Sequence, residues 1–398
     1  MAVSGLQIYD SRERALVRLA DAALTPLGWL RRAPAAAPVR RVLLLRLERI
    51  GDLLMVLDAI ADARAAWPDA ELDLAVGSWN GPLAELIPEV NRIVTLDAPW
   101  LTRDGSGDSW PALIVRAREW RTRDYDLAIN FEPDIRSNYL AWLTGAPRRF
   151  GYYTGGGGAF LSDATAYDPR QHVAVNARAI VARAAGATVG GGSARHGAHT
   201  MLQPPAEALA RARALLGHAP RPHVGVHASG GRQSKQWHLD RFAAVARDLA
   251  RGRGATIVLT GSAADRPMVD EVARALEGVH VIDAAGDIDL PTLAAVLADL
   301  DLLVTSDTGP MHLAGAMHTP VVALFGPSHP ERYGPLAMQQ RVIRVDLPCS
   351  PCGQVRLPPA RCRGHVPDCM DGITVDAVVR AAHDLLDAQR PPARQVPI

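Results

Sequence analysis

The sequence predicts an α/β protein of two domains, each built on a parallel sheet. At 398 residues, the chain is long enough for two domains that each bury a core. Short apolar runs alternate with helical patterns along most of it, as in parallel sheets covered by helices. Residues 302–334 show this alternation within one short stretch: a buried strand, a polar turn, a short helix and a second buried strand. A helix start just beyond the carboxyl end of a strand is a common place for anions and nucleotides to bind.

Composition excludes several classes of protein. Hydrophobic residues make up 48% and charged residues 21%, as in an ordinary globular protein. The net charge of +1 lacks the basic excess of a nucleic-acid binder. No apolar run is long enough to span a membrane, and the amino terminus lacks a signal-peptide core. We therefore expect a cytoplasmic protein without a nucleic-acid partner.

Residues 1–41 are predicted to form an amphipathic extension and linker. Apolar side chains recur at helical spacing over 11–30, with Trp29 near the end, and 33–38 reads as the linker. Seven arginines and three acids give this extension a charge of +4 (7 − 3). Such a helix can lie on an anionic membrane surface, here the inner face of the inner membrane. The alternative is a helix docked on the domain itself.

The first domain is assigned to residues 42–218. A buried strand at 42–45 is followed by a polar turn that ends in Asp52, and then by a helix over 53–66. Further strands are predicted at 72–76, 93–96 and 127–130, and a mobile glycine loop is predicted at 155–158. A carboxylate at a helix start suits a general base that faces a phosphate site, but capping alone also favours aspartate there.

The second domain is assigned to residues 219–398. Its first strand, 224–227, precedes a glycine-containing loop at 228–235, and the strand that ends at Thr305 precedes the polar turn at 306–309. Backbone amides of this loop and of the helix start at Pro310 can hold a pyrophosphate. Neither loop has the spacing of a Walker motif or of a dinucleotide fingerprint. We expect these loops to face those of the first domain across a cleft.

Lysine is used once in the chain. Of 43 basic side chains, 42 are arginine, and the exception is Lys235, at the end of the glycine-containing loop. Lysine and arginine are not interchangeable at phosphate sites, so Lys235 is a candidate for neutralising a departing diphosphate. The alternative is a surface lysine without a role.

The four cysteines are clustered in the order C-x2-C-x9-C-x6-C, at Cys349, Cys352, Cys362 and Cys369. Clustered thiols in a cytosolic chain suggest a metal before a disulfide. The second pair lacks C-x2-C spacing, however, so a structural zinc is the weaker prediction and reduced thiols packed in a loop the stronger one.

Four motifs together resemble the family-nine glycosyltransferases, which include the heptosyltransferases of lipopolysaccharide core assembly. They are RLERIGDLL, DLAINFEPDIRSNYLAWLTGAPRRFGY, GVHASGGRQSKQW and SDTGPMHLAGAMHTPVVALFGPSHPERYG. The resemblance covers roughly residues 42–385. It implies the GT-B fold, two Rossmann-like domains facing across a cleft, with the acceptor on the first and the nucleotide sugar on the second.

The resemblance also implies roles for single residues. Asp52 would be the catalytic base, and Lys235 would contact the donor phosphate or sugar. The donor-binding residues would be Ser229, Gly230, Asp307, Thr308, Gly309, Pro310, Met311 and His312. The acidic residue that contacts ribose in the family has Asp265 as its nearest candidate here. No cofactor and no catalytic metal are implied.

The function expected from this resemblance is inverting transfer of a sugar, heptose from ADP-heptose, to a lipopolysaccharide-core or related glycan acceptor. Three alternatives remain open at this point. One is transfer from another nucleotide sugar to a surface polysaccharide. The second is a nucleotide-sugar-binding protein without turnover. The third is a hydrolase or epimerase, for which the sequence offers no second acid–base pair.

Overall fold

The computed structural model describes residues 6–8, 10–29, 38–102, 107–186, 201–286 and 288–389. It divides into two compact units, Met1–Thr200 and Met201–Ile398. Each unit contains one six-stranded sheet. The predicted linker at 33–38 lies outside the described residues except for its last residue.

The first unit is a parallel sheet covered by helices. Its strands are β1 (Arg41–Leu45), β2 (Glu71–Val76), β3 (Arg92–Thr95), β4 (Leu127–Asn130), β5 (Arg148–Tyr152) and β6 (Asp163–Thr165). Its helices are α1 (Ser11–Trp29), α2 (Ile50–Leu54), α3 (Leu57–Ala66), α4 (Gly81–Ala84), α5 (Trp110–Glu119), α6 (Ile135–Leu143) and α7 (Val173–Ala184). The helix predicted over 53–66 is in fact two helices, α2 and α3, separated by Met55 and Val56. The first of them begins three residues earlier than predicted, at Ile50.

The second unit repeats the architecture. Its strands are β7 (His223–His227), β8 (Thr256–Leu259), β9 (Val281–Asp283), β10 (Leu302–Ser306), β11 (Val321–Leu324) and β12 (Gln340–Ile343). Its helices are α8 (Ala206–Leu216), α9 (Leu239–Arg253), α10 (Arg266–Ala275), α11 (Leu290–Asp299), α12 (Gly309–Ala316), α13 (Pro330–Tyr333), α14 (Asp368–Asp371) and α15 (Val375–Ala388). Because α8 packs against α11, this unit begins before the boundary predicted at 218/219.

Both sheets have the same strand order. The first runs β3-β2-β1-β4-β5-β6 and the second β9-β8-β7-β10-β11-β12, with every neighbouring pair parallel. In each sheet the chain builds outward in one direction and then returns beside its first strand. The carboxyl ends of the two central strands therefore border a crevice at a topological switch point, where ligands of such sheets bind. These crevices lie above β1 and β4 in the first unit and above β7 and β10 in the second.

Apolar side chains fix both central strands in place. Leu43 and Leu45 of β1 are fully buried in a cluster with side chains of α5 and β4. Val224 and Val226 of β7 are buried in the corresponding cluster of the second unit. Strands that are apolar on both faces belong in the centre of a helix-covered sheet, which is why these runs could be recognised from the sequence.

Helix α1 is docked on the first unit. Val17 is buried, and the Asp21 carboxylate accepts a hydrogen bond from the Gly157 amide at 2.7 Å. Gly156 has a φ of +90°, and a Cβ there would lie 2.3 Å from Val17 Cγ1, so this contact requires glycine. The glycine loop at 155–158 is mostly buried, and the prediction of a mobile loop was wrong because α1 covers it.

Candidate functional site

In the crevice of the first unit, Arg46 joins the loops that follow β1 and β4. The residue is only 3% exposed, and one terminal nitrogen donates to the Phe131 carbonyl at 2.9 Å. The same nitrogen lies 2.9 Å from the Glu48 carboxylate. Burial opposes the charge of Arg46, but its carboxylate neighbours outweigh that effect and raise its pKa. No role for this arginine was expected from the sequence.

Asp52 lies at the start of α2, beside Arg46. The guanidinium donates to the Asp52 carbonyl at 3.1 Å and lies 3.4 Å from its carboxylate. The other carboxylate oxygen accepts the Arg49 amide at 3.2 Å, so the capping interaction that we considered as an alternative does form. The side chain nevertheless keeps 28% of its surface exposed. It can cap the helix and still meet a substrate hydroxyl.

Glu132 is a further carboxyl group near Arg46; it lies within the motif DLAINFEPDIRSNYLAWLTGAPRRFGY, but no role for it was expected from the sequence. It is 2% exposed, and its carboxylate accepts a short hydrogen bond from the Leu47 amide. Burial, and then repulsion from Glu48, raises the pKa of Glu132 to about 8. A turn residue after a buried strand gives no sequence signal of burial, because most glutamates in such turns are solvated.

In the crevice of the second unit, Lys235 is held against Asp307. The Lys235 ammonium donates to the Asp307 carbonyl at 2.5 Å and lies 3.3 Å from its carboxylate. The two side chains are 17% and 11% exposed. The loops after β7 and β10 therefore meet at this pair. The lysine is positioned by its contact with Asp307 and keeps an open side toward solvent, as an anion-binding cation must.

The amino end of α12 supplies further donors beside this pair. Thr308 is the N-cap residue, but its hydroxyl donates to the Ser306 carbonyl at 3.2 Å and makes no capping bond to the helix. Amides of the first turn have no partner within a helix, and here the cap residue supplies none. Aligned peptide dipoles add positive potential at that end. A diphosphate placed there would find donors as well as the Lys235 charge.

Other predicted donor-binding residues lie in or beside the same turn. Gly309 and Pro310 form the first turn of α12, and Met311 and His312 are buried at 0% and 7% exposure. Within the described residues, the buried Ser306 hydroxyl has no hydrogen-bond partner. The consecutive predicted residues from Asp307 to His312 therefore lie in the turn after β10 and the first turns of α12.

The glycine-containing loop after β7 is more fully bonded than the sequence suggested. The Gly230 amide donates to the Gln236 side chain at 2.7 Å, and the Gly231 amide donates to the Ser229 hydroxyl at 3.2 Å. A phosphate at this loop would have to share or displace those partners. Gly231 has a φ of +65°, which explains a glycine at this position.

Trp237 lies two residues after Lys235 and is anchored in the core of the second unit. It is fully buried, donates to the Ile373 carbonyl at 3.1 Å and packs edge-on against Phe242, with ring centroids 4.9 Å apart. Trp237, the last residue of the motif GVHASGGRQSKQW, thus anchors the loop that carries the lysine.

Asp265 lies beside the same loop. Burial alone would raise its pKa, but hydrogen bonds from Ser262 and Ser229 outweigh that effect and lower it. The Ser262 hydroxyl donates to its carboxylate at 2.6 Å. His227, at the end of β7, also faces it, and burial lowers the pKa of that imidazole. The carboxylate is therefore ionised and lies next to Ser229. An ionised carboxylate can accept hydrogen bonds from ribose hydroxyl groups, which is the role expected of Asp265.

The four cysteines line one cavity of about 290 Å³ in the second unit, together with Ser234 and Pro327. All four are free thiols. Burial, followed by the nearby Cys352 and Cys362 thiols, raises the pKa of Cys369 to about 11. Among the described residues, no group of three or more histidine, cysteine or acidic side chains is arranged to hold a metal ion. Packed thiols remain the prediction for this cluster.

Comparison with known proteins finds relatives along most of the chain. Residues 116–358 match the model of Glycosyltransferase family 9 (heptosyltransferase). Lipopolysaccharide heptosyltransferase 2 of Salmonella typhimurium is 26% identical over 333 residues, which cover 77% of this chain and 88% of the relative. Lipopolysaccharide heptosyltransferase 1 of Pseudomonas aeruginosa is 27% identical over 334 residues, covering 78% and 86%.

Solved structures agree on the fold. The glycosyl transferase family 9 structure from Veillonella parvula is 25% identical and superposes with a TM-score of 0.72, covering 89% of this chain and 99% of that one. E. coli ADP-heptose LPS heptosyltransferase II gives a TM-score of 0.71 at 23% identity, covering 88% and 99%. With a family model that spans more than half of its length, the chain belongs to glycosyltransferase family 9.

Proposed function

We propose that this protein is an inverting heptosyltransferase that moves heptose from ADP-heptose to a lipopolysaccharide-core acceptor. The observation that carries the proposal is the Lys235–Asp307 pair beside the uncapped start of α12. It is a site for a diphosphate in a chain of this family. The names of the relatives, which are lipopolysaccharide heptosyltransferases, support heptose and the lipopolysaccharide core.

The proposed reaction is a single displacement. Asp52 takes the proton of an acceptor hydroxyl as that oxygen forms a bond to the anomeric carbon of the donor. The bond from that carbon to the diphosphate oxygen breaks, and its electron pair leaves with ADP. Inversion follows because attack and departure occur on opposite faces. The acceptor is assigned to the first unit and the donor to the second, and both must be bound together.

We propose that the diphosphate leaves without help from a catalytic metal. Lys235 and the first-turn amides of α12 can stabilise the charge that develops on the leaving group. Ser229 and Gly230 would donate hydrogen bonds to oxygens of the diphosphate after the present hydrogen bonds of their loop rearrange. Asp265 would accept hydrogen bonds from the ribose.

Mass spectrometry of products tests the proposal. The protein is incubated with lipopolysaccharide from a heptose-deficient strain and, in separate reactions, with ADP-heptose or with each of a panel of UDP- and GDP-sugars. We expect a mass increase of one heptosyl unit with ADP-heptose alone. An increase with another donor instead would support transfer to a different glycan, and tight donor binding without any product would support a non-catalytic binding protein.

We also propose that α1 attaches the enzyme peripherally to an anionic membrane surface. Its inner face docks on the first unit, whereas Leu16 and Leu19 are 67% and 70% exposed beside Arg12 and Arg18. An apolar strip flanked by cations suits the interface of an anionic bilayer. No helix of the described residues is long and apolar enough to cross a membrane.

Flotation with vesicles of an anionic phospholipid tests this attachment. We expect binding that weakens as salt rises, and a large loss of binding in the Leu16→Glu/Leu19→Glu variant, because it removes the apolar strip and adds two negative charges. Leu357→Glu alters a leucine of similar exposure, 60%, elsewhere on the chain and serves as the control. Equal flotation of all three proteins would mean that α1 only docks on its own domain.

A further inference from the structure

Three carboxyl groups surround one buried guanidinium in the crevice of the first unit. One buried guanidinium, Arg46, is close to the carboxylates of Glu48 and Asp52 and interacts electrostatically with that of Glu132. A single carboxylate would be enough to compensate a buried arginine. Burying a further carboxyl group is unfavourable unless it is paired or neutral. The surplus group is Glu132, because it is the most deeply buried of the three.

Glu132 is also held firmly in place. The Asn130 side chain accepts the Glu132 amide at 3.1 Å and donates to its carbonyl at 3.0 Å. The Leu47 amide fixes the carboxyl group from the loop after β1. The loops that end the two central strands are thus connected through this one acid, and Arg46 interacts with both it and Asp52.

We propose that Glu132 is a positioning residue for the transfer reaction and that it acts through Arg46 on Asp52. The inference rests on the proposed function, in which Asp52 removes the proton of the acceptor. When Glu132 is neutral, the guanidinium is shared by Glu48 and Asp52. When Glu132 is ionised, it draws on the same guanidinium and adds negative potential, so proton removal by Asp52 becomes more favourable.

The charged groups around Glu132 allow this titration near neutral pH. Glu48 and Asp134 disfavour its anion, and Arg46 favours it. Arg136, on α6, also interacts with it. With burial the largest effect, the net result is the raised pKa given above, so the acid changes its charge within the range where an enzyme works.

Activity measured against pH is the first test. We expect kcat of the wild-type protein for heptose transfer to rise as Glu132 ionises, between about pH 7 and 9. Glu132→Gln keeps an acceptor for the Leu47 amide but cannot ionise. It should lose this rise and fall about 3- to 10-fold in kcat at pH 8.5, with an unchanged KM for the donor. Glu85→Gln, which alters an exposed acid of the same unit, is the control.

Stability provides a second readout, with a defined sign. A carboxyl group whose folded pKa is raised stabilises the fold fully below its unfolded value of about 4.5, and this contribution is lost as pH rises toward 8. The melting temperature of the wild-type protein should therefore fall, relative to that of Glu132→Gln, between pH 5 and 8. Parallel curves would contradict a buried, titrating Glu132.

Carbon-13 NMR of glutamate carboxyl groups tests the coupling without any substrate. The Glu132→Gln spectrum identifies the signal of Glu132, which is then titrated in the wild-type protein and in Asp52→Asn. Because the neutral amide introduced at position 52 frees the guanidinium for Glu132, the titration midpoint of Glu132 should fall by about half a unit. Coupling is reciprocal, so this shift also measures the effect of Glu132 on Asp52.

The outcomes of these tests are distinct. An unchanged Glu132 midpoint in Asp52→Asn overturns the inference, whatever the protein catalyses. A shifted midpoint with a wild-type rate profile for Glu132→Gln overturns it as well. If the wild-type protein transfers no sugar from ADP-heptose, the proposed function fails, and the NMR titration alone decides whether Glu132 and Asp52 are coupled.

Discussion

Asp52→Asn should lower kcat by roughly 10² to 10⁴ and leave donor affinity nearly unchanged, because a neutral amide cannot remove the proton of the acceptor. Donor affinity should not change because we assign donor binding to the second unit, whereas Asp52 lies in the first. The change tests chemistry more than folding, since asparagine keeps an oxygen that can accept the Arg49 amide. Initial rates with lipopolysaccharide acceptor and calorimetric titration with ADP are the measurements.

A matched variant separates catalysis from helix capping. Asp240 lies in the first turn of α9, is exposed and is not among the predicted site residues. Asp240→Asn removes the same favourable interaction with a helix dipole and should leave kcat intact. If Asp52→Asn lowers the melting temperature while the folded fraction keeps its specific activity, Asp52 is a cap and the proposed mechanism fails.

Lys235→Ala should reduce kcat/KM by about 2–4 kcal/mol of transition-state stabilisation, roughly 30- to 1000-fold, because the departing diphosphate loses its cation. Lys235→Arg keeps the charge but presents a wider, planar group where the ammonium meets the Asp307 carbonyl at 2.5 Å. It should recover only part of the activity. Arg251→Ala, which removes an exposed cation of α9, is the control and should change little.

Chemical labelling provides an independent test of this lysine. As the only lysine, Lys235 is the single side-chain target of an amine-selective reagent, apart from the amino terminus. Labelling should inactivate the enzyme, and saturating ADP should protect it. Full activity after stoichiometric labelling of Lys235 would falsify its placement in the donor site.

The central strands of the two sheets could be predicted from the sequence. Runs such as 42–45, 224–227 and 302–305 are apolar on both faces, and the structure places them at the centres of the two sheets. The edge strands β6 and β12 were not predicted. One that was missed, β6, is a three-residue segment of intermediate exposure, so it has no apolar pattern to detect. Likewise, α6 begins in a polar stretch that reads as a loop until the Asp134 cap is recognised.

The candidate site was predictable where a motif carried it. Lys235 and the turn from Asp307 to His312 are close in space because the strand order places their loops side by side. Arg46 and Glu132 form the less visible half of the site. Both lie in quoted motifs, but their importance comes from burial and from an interaction between residues 86 positions apart (132 − 46), which neither motif reveals.

If an acceptor hydroxyl activated by Asp52 displaces the diphosphate in one step, the anomeric carbon must invert, so the stereochemistry of the product decides between mechanisms. ADP-heptose carrying carbon-13 at the anomeric position is converted, and the one-bond carbon–hydrogen coupling at that carbon is measured in donor and product. We predict the opposite anomeric configuration in the product. Retention of the donor configuration would contradict the single displacement and the role of Asp52 as its base.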